Sequence, residues 1–392
     1  VPERPCLVLL TPLAPARTGN GLAMRAATLL DAALVDHRVH LVIVPLAGEV
    51  RSVDDVRLAS IEVAPLADVG DPVALAAIVA DPRWRERWSR LDPPPAAVLA
   101  APPTLAAALA DRLRGEAVRG VVALRLTLGP VGLALAEALE VPLVIDADDD
   151  DERLQHDLGH DRLADAMERV ASVCLPAARA VLAASAEDAD ALSRRHHLDP
   201  PAAVSPNAAP LPTRPVGPPP GDGRTLFVAN FTYEPNALAA RWLVNEVVPH
   251  LAPEVTVDLV GAAGEDLRGL AGARVRVHGP VDGLSEHYAA ADVAVAPLRH
   301  GAGSRIKVLE AFAHGRPVVA TTVGVAGLDV EPGRHVLVAD DPAGFAASIL
   351  DARRPDTARA FVAGAADLVE RRYAPEVVVP ALAQRLRAVL DL

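Results

Sequence analysis

Short apolar runs alternate along this chain with longer stretches rich in Ala, Leu, Arg and Glu at helical period, and that alternation is its tightest constraint. Strands buried on both faces read as continuous Val/Leu/Ile/Ala runs, and the helices between them supply the crossovers that parallel pairing requires. In the first half the runs Cys6–Leu10, Val39–Val44, Ile61–Ala64, Ala96–Ala100, Gly120–Leu124, Pro142–Asp146 and Ala180–Ala184 predict strands. In the second half Thr225–Ala229, Thr256–Val260, Val275–His278, Val293–Ala296, Val318–Thr321 and His335–Val338 do the same. Between them Ser205–Gly223 is too rich in proline to continue a sheet or a helix and reads as a semi-rigid linker. The pattern predicts an α/β chain of two doubly wound parallel-sheet domains, 1–204 and 224–374, joined by the linker 205–223. A final helix over 375–392 has apolar spacing suited to packing back on the first domain. Ligands of open α/β sheets bind beyond the carboxyl ends of the strands, so a cleft faced by both sheets is the expected site.

Composition narrows the class. At 51% hydrophobic and 23% charged, the 392 residues bury ample cores and exclude a mostly disordered protein. A net charge of -13 with no basic stripe argues against nucleic-acid binding. No apolar run reaches the roughly 18 residues that span a bilayer, and Val1–Pro5 enters the first strand without a secretory apolar segment. A cytoplasmic protein is expected, with membrane contact at most peripheral. Cys6 and Cys174 make no disulfide framework, and Cys6 reads as a small core residue of its strand. No heptad or exposed apolar stripe indicates an oligomeric state.

One lysine, Lys307, stands against 37 arginines, in what reads as a GC-biased bacterial coding sequence. An ammonium is a compact, rotating point charge and a guanidinium a rigid fork, so a lysine kept under that bias suggests phosphate binding; a chance survivor on a wet helix face is the alternative. Around it, a Gly-rich turn, Gly301-Ala302-Gly303, leads into a helix expected from Ser304 to His314, stopped by Gly315-Arg316-Pro317. Gly301 and Gly303 permit close backbone approach to a ligand, and Ser304 is a natural N-cap over an anion site. Arg305 and Lys307, two positions apart, cannot both point the same way: one reaches a phosphate while the other caps, pairs or packs. Glu310, in the apolar run Val308–Ala313, suits the vicinal diol of a ribose; a wet ion pair with Lys307 is the bland alternative.

In the first half, Gly19-Asn20-Gly21 follows the first strand and precedes a helix containing Arg25, as either a phosphate-approaching turn or a plain one. Asp146-Ala-Asp-Asp-Asp-Asp-Glu152 ends another strand. Asp148 and Asp149 are candidates to orient an acceptor hydroxyl or act as a base, and Asp150–Glu152 to cap a helix; a divalent metal is a further reading of the cluster. His156 and His160 are spaced i,i+4 on an expected helix but lack a third ligand, so they and His196 and His197 read as solvated helix histidines.

Phe227–Asn236 with Trp242, Val277–Val281, Ala291–Pro297 and the Gly301–Gly315 stretch together resemble GT-B glycosyltransferases, and more narrowly the retaining family 4, glycosyl transferases group 1. The resemblance is strong over 224–345 and weaker over 1–204. It implies two Rossmann-like domains facing a central cleft, with a nucleotide-sugar donor on the second domain and a small-molecule or glycan acceptor on the first. It further implies ribose binding by Glu310, and the base near His278, Gly279, Pro280 and Val281. The diphosphate and donor sugar fall to Gly301, Ala302, Gly303 and Ser304 with Arg305 and Lys307, and the Gly19–Gly21 loop lies against the diphosphate. Family members use no metal, so no metal cofactor is expected. The chain departs at Ala302, where the family often has a first glutamate, and at Asn230, within a segment that replaces the usual early Arg and Lys. The implied activity is retaining transfer in natural-product or cell-envelope glycoconjugate biosynthesis. A GT-B nucleotide-sugar epimerase and a non-catalytic sugar-nucleotide-binding partner protein are the alternatives.

Overall fold

The computed structural model describes residues 4–44, 57–63, 103–209, 211–212, 216–301 and 305–390. The chain divides into two units: Val1–Arg17, Leu22–Pro206 and Val378–Leu392 form the first, Thr18–Gly21 and Asn207–Val377 the second. No helix among the described residues is long and apolar enough to cross a membrane.

The first unit holds strands β1 (Cys6–Thr11), β2 (Arg38–Ile43), β3 (Ser60–Val63), β4 (Val118–Leu124), β5 (Leu143–Asp148), β6 (Ala180–Ala183) and β7 (Ala203–Val204). They make one parallel sheet in the order β3-β2-β1-β4-β5-β6-β7. The expected strand Ala96–Ala100 lies outside the described residues, and β7 is too short to have announced itself by periodicity. Alternate residues of β1 serve the two faces, as the strand period dictates. Val8 and Leu10 join a core with the helices Gly129–Leu139 and Asp161–Ala177, while Leu7 and Leu9 join one with the helix Gly21–Asp36. The C-terminal helix Pro375–Leu390 adds Leu382, Ala383, Leu386 and Leu390 to that second core. Leu390 fills the space above Gly120, where any Cβ would overlap its side chain.

The second unit holds β8 (Arg224–Val228), β9 (Thr256–Val260), β10 (Val275–His278), β11 (Val293–Ala296), β12 (Val318–Ala320) and β13 (Leu337–Val338), parallel in the order β10-β9-β8-β11-β12-β13. Every one overlaps its sequence expectation. Trp242 and Phe345 meet edge to face at 5.3 Å in the core under this sheet. Strand order reverses between β8 and β11, so the segments leaving those two strands flank the switch point where doubly wound sheets take their ligands. Those segments begin at Ala229 and Pro297.

Candidate functional site

The helix after β11 spans Ile306–Ala313, and Arg305 rather than the expected Ser304 occupies its N-cap position. Ala302, Gly303 and Ser304 lie outside the described residues. Arg305 is the cation that packs: it is buried, and its Nε donates to the Val323 carbonyl at 3.0 Å. Gly301, at φ 147°, answers to this arginine, since a Cβ there would sit 3.1 Å from Arg305 Nη2. The glycine expected to admit a ligand thus also makes room for a guanidinium.

Lys307 is half-buried, and its Nζ donates to Asn236 Oδ1 at 3.0 Å. Asn236 Nδ2 in turn donates to the Asn230 carbonyl at 2.8 Å, and Asn230 Oδ1 accepts from Thr232 N at 3.1 Å and Oγ1 at 2.7 Å. An Asx-type turn after β8 therefore holds the amide that holds the lysine. Burial, with the nearby Arg305 charge second, pushes the ammonium down to about 7. Glu310 is 5% exposed and accepts from the Tyr288 hydroxyl at 3.3 Å. Burial raises its carboxyl to about 7, against the lowering effect of that hydrogen bond. Tyr288 is itself fixed by stacking on His314, centroids 4.3 Å apart, and His314 Nδ1 meets the Glu310 carbonyl oxygen at 2.8 Å. The helix ion pair between Lys307 and Glu310 is not formed, since each has a neutral partner from another element.

His278 ends β10 with Nε2 3.1 Å from Asp258 Oδ1, and its ring meets that of His287 edge to face at 5.0 Å. Gly279, Pro280 and Val281 are exposed beyond it. Gly19, at φ 93°, and Asn20 lead to Gly21 at the start of the helix Gly21–Asp36. Thr18–Gly21 belong to the second unit by their contacts, and a Cβ on Gly21 would lie 3.4 Å from Ile306 Cδ1.

In the first unit the acidic segment is met by arginines. Arg25 Nε and Nη2 grip Asp146 at 2.9 and 3.0 Å, both side chains fully buried, and Arg25 Nη1 donates to the Ser205 carbonyl at 2.6 Å. Arg125 Nη1 reaches Asp149 Oδ2 at 2.8 Å and Asp148 Oδ2 at 3.4 Å, and its Nη2 pairs with Asp151. Arg195 holds Asp150 through both oxygens at 2.8 and 2.9 Å, and also Glu152. Asp150 caps the helix Asp151–Asp157 by accepting from Arg153 N at 3.1 Å. Guanidinium groups therefore stand where a divalent cation would have to compete for the same oxygens. Asp148, at φ 63°, is buried; that burial, then the charge of Asp149, raises its carboxyl to about 7 despite Arg25 and Arg125.

His156, His160 and His197 are exposed, as expected of solvated histidines, but the helix expected to carry both His156 and His160 does not form and His196 is buried. His156 lies in the last turn of the helix Asp151–Asp157 and His160 is the N-cap of Asp161–Ala177, with Gly159 turning between them at φ 76°, so the two do not share a helix. His196 is not solvated: it is buried, with Nε2 2.8 Å from Glu152 Oε1. The residues that sequence reasoning passed over are Asn236, Tyr288 and His314, which seat Lys307 and Glu310. Asn236 stands within the segment Phe227–Asn236 singled out by resemblance, the one signal that pointed to it.

The family model "Glycosyl transferases group 1" matches residues 222–354. Among curated protein sequences, none matches the chain. Among solved structures, sucrose-phosphate synthase from Thermosynechococcus elongatus is similar at TM-score 0.74 and 18% identity, covering 99% of this chain and 100% of that one. HepE from Anabaena, in complex with UDP and glucose, is similar at TM-score 0.68 and 16% identity, covering 98% and 99%. The UDP-forming alpha,alpha-trehalose-phosphate synthase from Burkholderia vietnamiensis gives 0.66 and 14%, covering 99% and 98%. Residues 222–354 are thus similar to the group 1 glycosyl transferases, and the fold is that of GT-B glycosyltransferases.

Proposed function

We propose that this chain transfers a glycosyl group, with retention, from a nucleoside diphosphate sugar to an acceptor hydroxyl. The observation that carries the reading is on the helix Ile306–Ala313. A cation suited to diphosphate and a carboxylate suited to a diol stand one turn apart, each held by a neutral partner and neither consumed by the other. In this reading Glu310, ionised, accepts both ribose hydroxyls, and the base lies along His278–Val281. The diphosphate lies over Gly301–Ser304 and the Gly19–Gly21 turn, near Asn230. Lys307, drawn back to its protonated form by the phosphates, stabilises the charge that grows on the leaving diphosphate, with Arg305 adding to the field. No metal ion has a part in this scheme. Asp148 and Asp149 orient the acceptor hydroxyl, and the Asp148 carboxyl titrates near neutrality, where proton transfer is most effective. UDP is the first donor nucleotide to try, since it is the one bound in the HepE structure. The acceptor is a small molecule or glycan of natural-product or cell-envelope glycoconjugate synthesis in the cytoplasm of a bacterium.

The test is a thermal-shift panel of UDP, GDP, TDP and ADP on the parent and on Glu310→Ala. Stabilisation by one nucleotide, lost in the variant, is expected, because a ligand that binds only the folded state raises its stability. Failure of every nucleotide to stabilise the parent overturns the donor-site reading.

A further inference from the structure

Three side chains of metal-ligating type converge in the first unit, far along the sheet from the carboxyl end of β5 where the aspartates cluster. Cys6 opens β1, His40 lies in β2, and Glu116 precedes β4. Cys6 Sγ, a ring nitrogen of His40 and a carboxylate oxygen of Glu116 all lie within 4.8 Å of one another. The backbone builds this arrangement: β1 and β2 pair with Cys6 opposite Arg38 and Val8 opposite His40, and Cys6 N donates to the Ala117 carbonyl at 3.1 Å.

A second observation, independent of that convergence, is the state of His40. The residue is 8% exposed, and its Nδ1 meets Ser60 Oγ at 2.5 Å. Its Nε2 is buried and makes no hydrogen bond, while Glu116 Oε2 stands 3.9 Å away. Native interiors rarely leave a buried ring nitrogen unsatisfied, and such an atom asks for an explanation. Donor and acceptor at the Ser60 contact follow the tautomer; in the one with Nδ1–H donating to Ser60 Oγ, Nε2 offers a lone pair to a cation held between it and Glu116, and an outer hydrogen bond of this kind is what orients metal-bound histidines.

We infer that Cys6, His40 and Glu116 bind one divalent transition cation, with Zn2+ the first to test. Thiolate, imidazole and carboxylate are a borderline-soft donor set, and three protein ligands leave the fourth tetrahedral position to water. Bond lengths of about 2.0–2.3 Å around tetrahedral zinc separate ligand atoms by roughly 3.3–3.8 Å. Side-chain shifts of no more than about an ångström close the present spacing onto the ion. Arg38 Nη1 lies 3.7 Å from Glu116 Oε2, and its partly exposed guanidinium yields that oxygen on binding. The Cys6 S–H proton passes to solvent as the metal–sulfur bond forms, and nothing is oxidised or reduced. The bound ion ties together the amino-end segments of three neighbouring strands, a structural role separate from sugar transfer.

The experiment is calorimetric titration of the metal-stripped full chain with Zn2+, alongside Co2+ absorption spectra. Cys6→Ser, His40→Gln and Glu116→Gln are measured with the parent. One equivalent bound, a sulfur-to-cobalt charge-transfer band, a zinc-dependent rise in Tm, and at least a tenfold affinity loss in each variant are expected. Glu116 is partly exposed, so Glu116→Gln keeps the test interpretable if a core variant fails to fold. Absence of stoichiometric binding, a cobalt spectrum without the thiolate band, a band that persists in Cys6→Ser and so belongs to Cys174, or unchanged affinity in Glu116→Gln each overturns the site.

Discussion

Lys307 Nζ donates to Asn236 Oδ1 at 3.0 Å across 71 residues of chain, so the single lysine is held by a neutral amide and not by a carboxylate. The amide orients the ammonium without neutralising it, which leaves its charge for an incoming anion. Lys307→Ala is expected to lower kcat by roughly 100- to 1,000-fold with a smaller change in KM, the pattern of a group acting on charge that develops in the transition state. Lys307→Arg should restore little, because a planar fork cannot take the place of a point charge seated on one amide oxygen. Steady-state release of nucleoside diphosphate reads both, and full activity in Lys307→Arg refutes the assignment.

Asn236→Ala removes the seat and keeps the charge. Its expected effect is smaller than that of Lys307→Ala, roughly tenfold in kcat/KM, about the loss of one charge-assisted hydrogen bond. Combining the two substitutions should cost no more than Lys307→Ala alone, and a double-mutant cycle measures this directly.

Glu310 and Lys307 give stability opposite dependences on pH. The Glu310 carboxyl is raised by burial from 4.5 to about 7, so the folded chain keeps a proton there that the unfolded chain has released. That contribution is fully present below the unfolded value and is lost as pH rises through about 7. Lys307 is lowered from 10.5 to about 7, so its contribution instead grows as pH rises from about 7 toward 10.5. Glu310→Gln removes the first dependence. It should leave the protein more stable than the parent above neutrality, by on the order of 1–3 kcal/mol, read as a shift in urea midpoint across the pH series. On the proposed ribose role the same variant should bind nucleotide more weakly, since an amide offers one uncharged accepting oxygen where the carboxylate offers two charged ones.

Arg25 and Asp146 form a bidentate pair whose side chains are both 0% exposed. Replacing either partner by Ala strands a buried charge and should cost about 3–5 kcal/mol in chemical denaturation. Replacing both with apolar residues of similar volume should cost less than either single change.

Gly261 sits at φ 138° with its α-carbon against the Ala229 carbonyl, and a Cβ there would overlap that oxygen. Gly261→Ala is expected to destabilise by roughly 2–4 kcal/mol, through strain and the displaced segment after β8. Because that segment begins the turn that seats Asn236, activity should fall as well; unchanged thermal stability contradicts the close approach.

The strands were legible because buried parallel strands are written as uninterrupted apolar runs, and the helix Ile306–Ala313 because a Gly-rich turn opens it and Gly315-Arg316-Pro317 closes it. Lys307 and Glu310 stood out for local reasons, one by its rarity and the other by its apolar flanks. Their partners did not, since Asn236 and Tyr288 reach them from other elements across 71 and 22 residues, and no local pattern records such a meeting. The i,i+4 spacing of His156 and His160 is helical, yet the helix stops at Asp157 and Gly159 turns the chain before His160, an interruption that spacing alone does not record. The acidic run showed its charge in sequence, whereas the arginines that meet it come from as far as 121 residues away.

Pro375–Leu390 leaves the ribosome after every residue of the second sheet, yet Leu382, Leu386 and Leu390 complete a core begun by Leu7 and Leu9. The amino-terminal half therefore cannot finish folding in the order in which it is synthesised. It must wait, with one apolar face uncovered and the space above Gly120 vacant, until the last helix arrives. For this chain a premature stop near the end is an injury to its beginning.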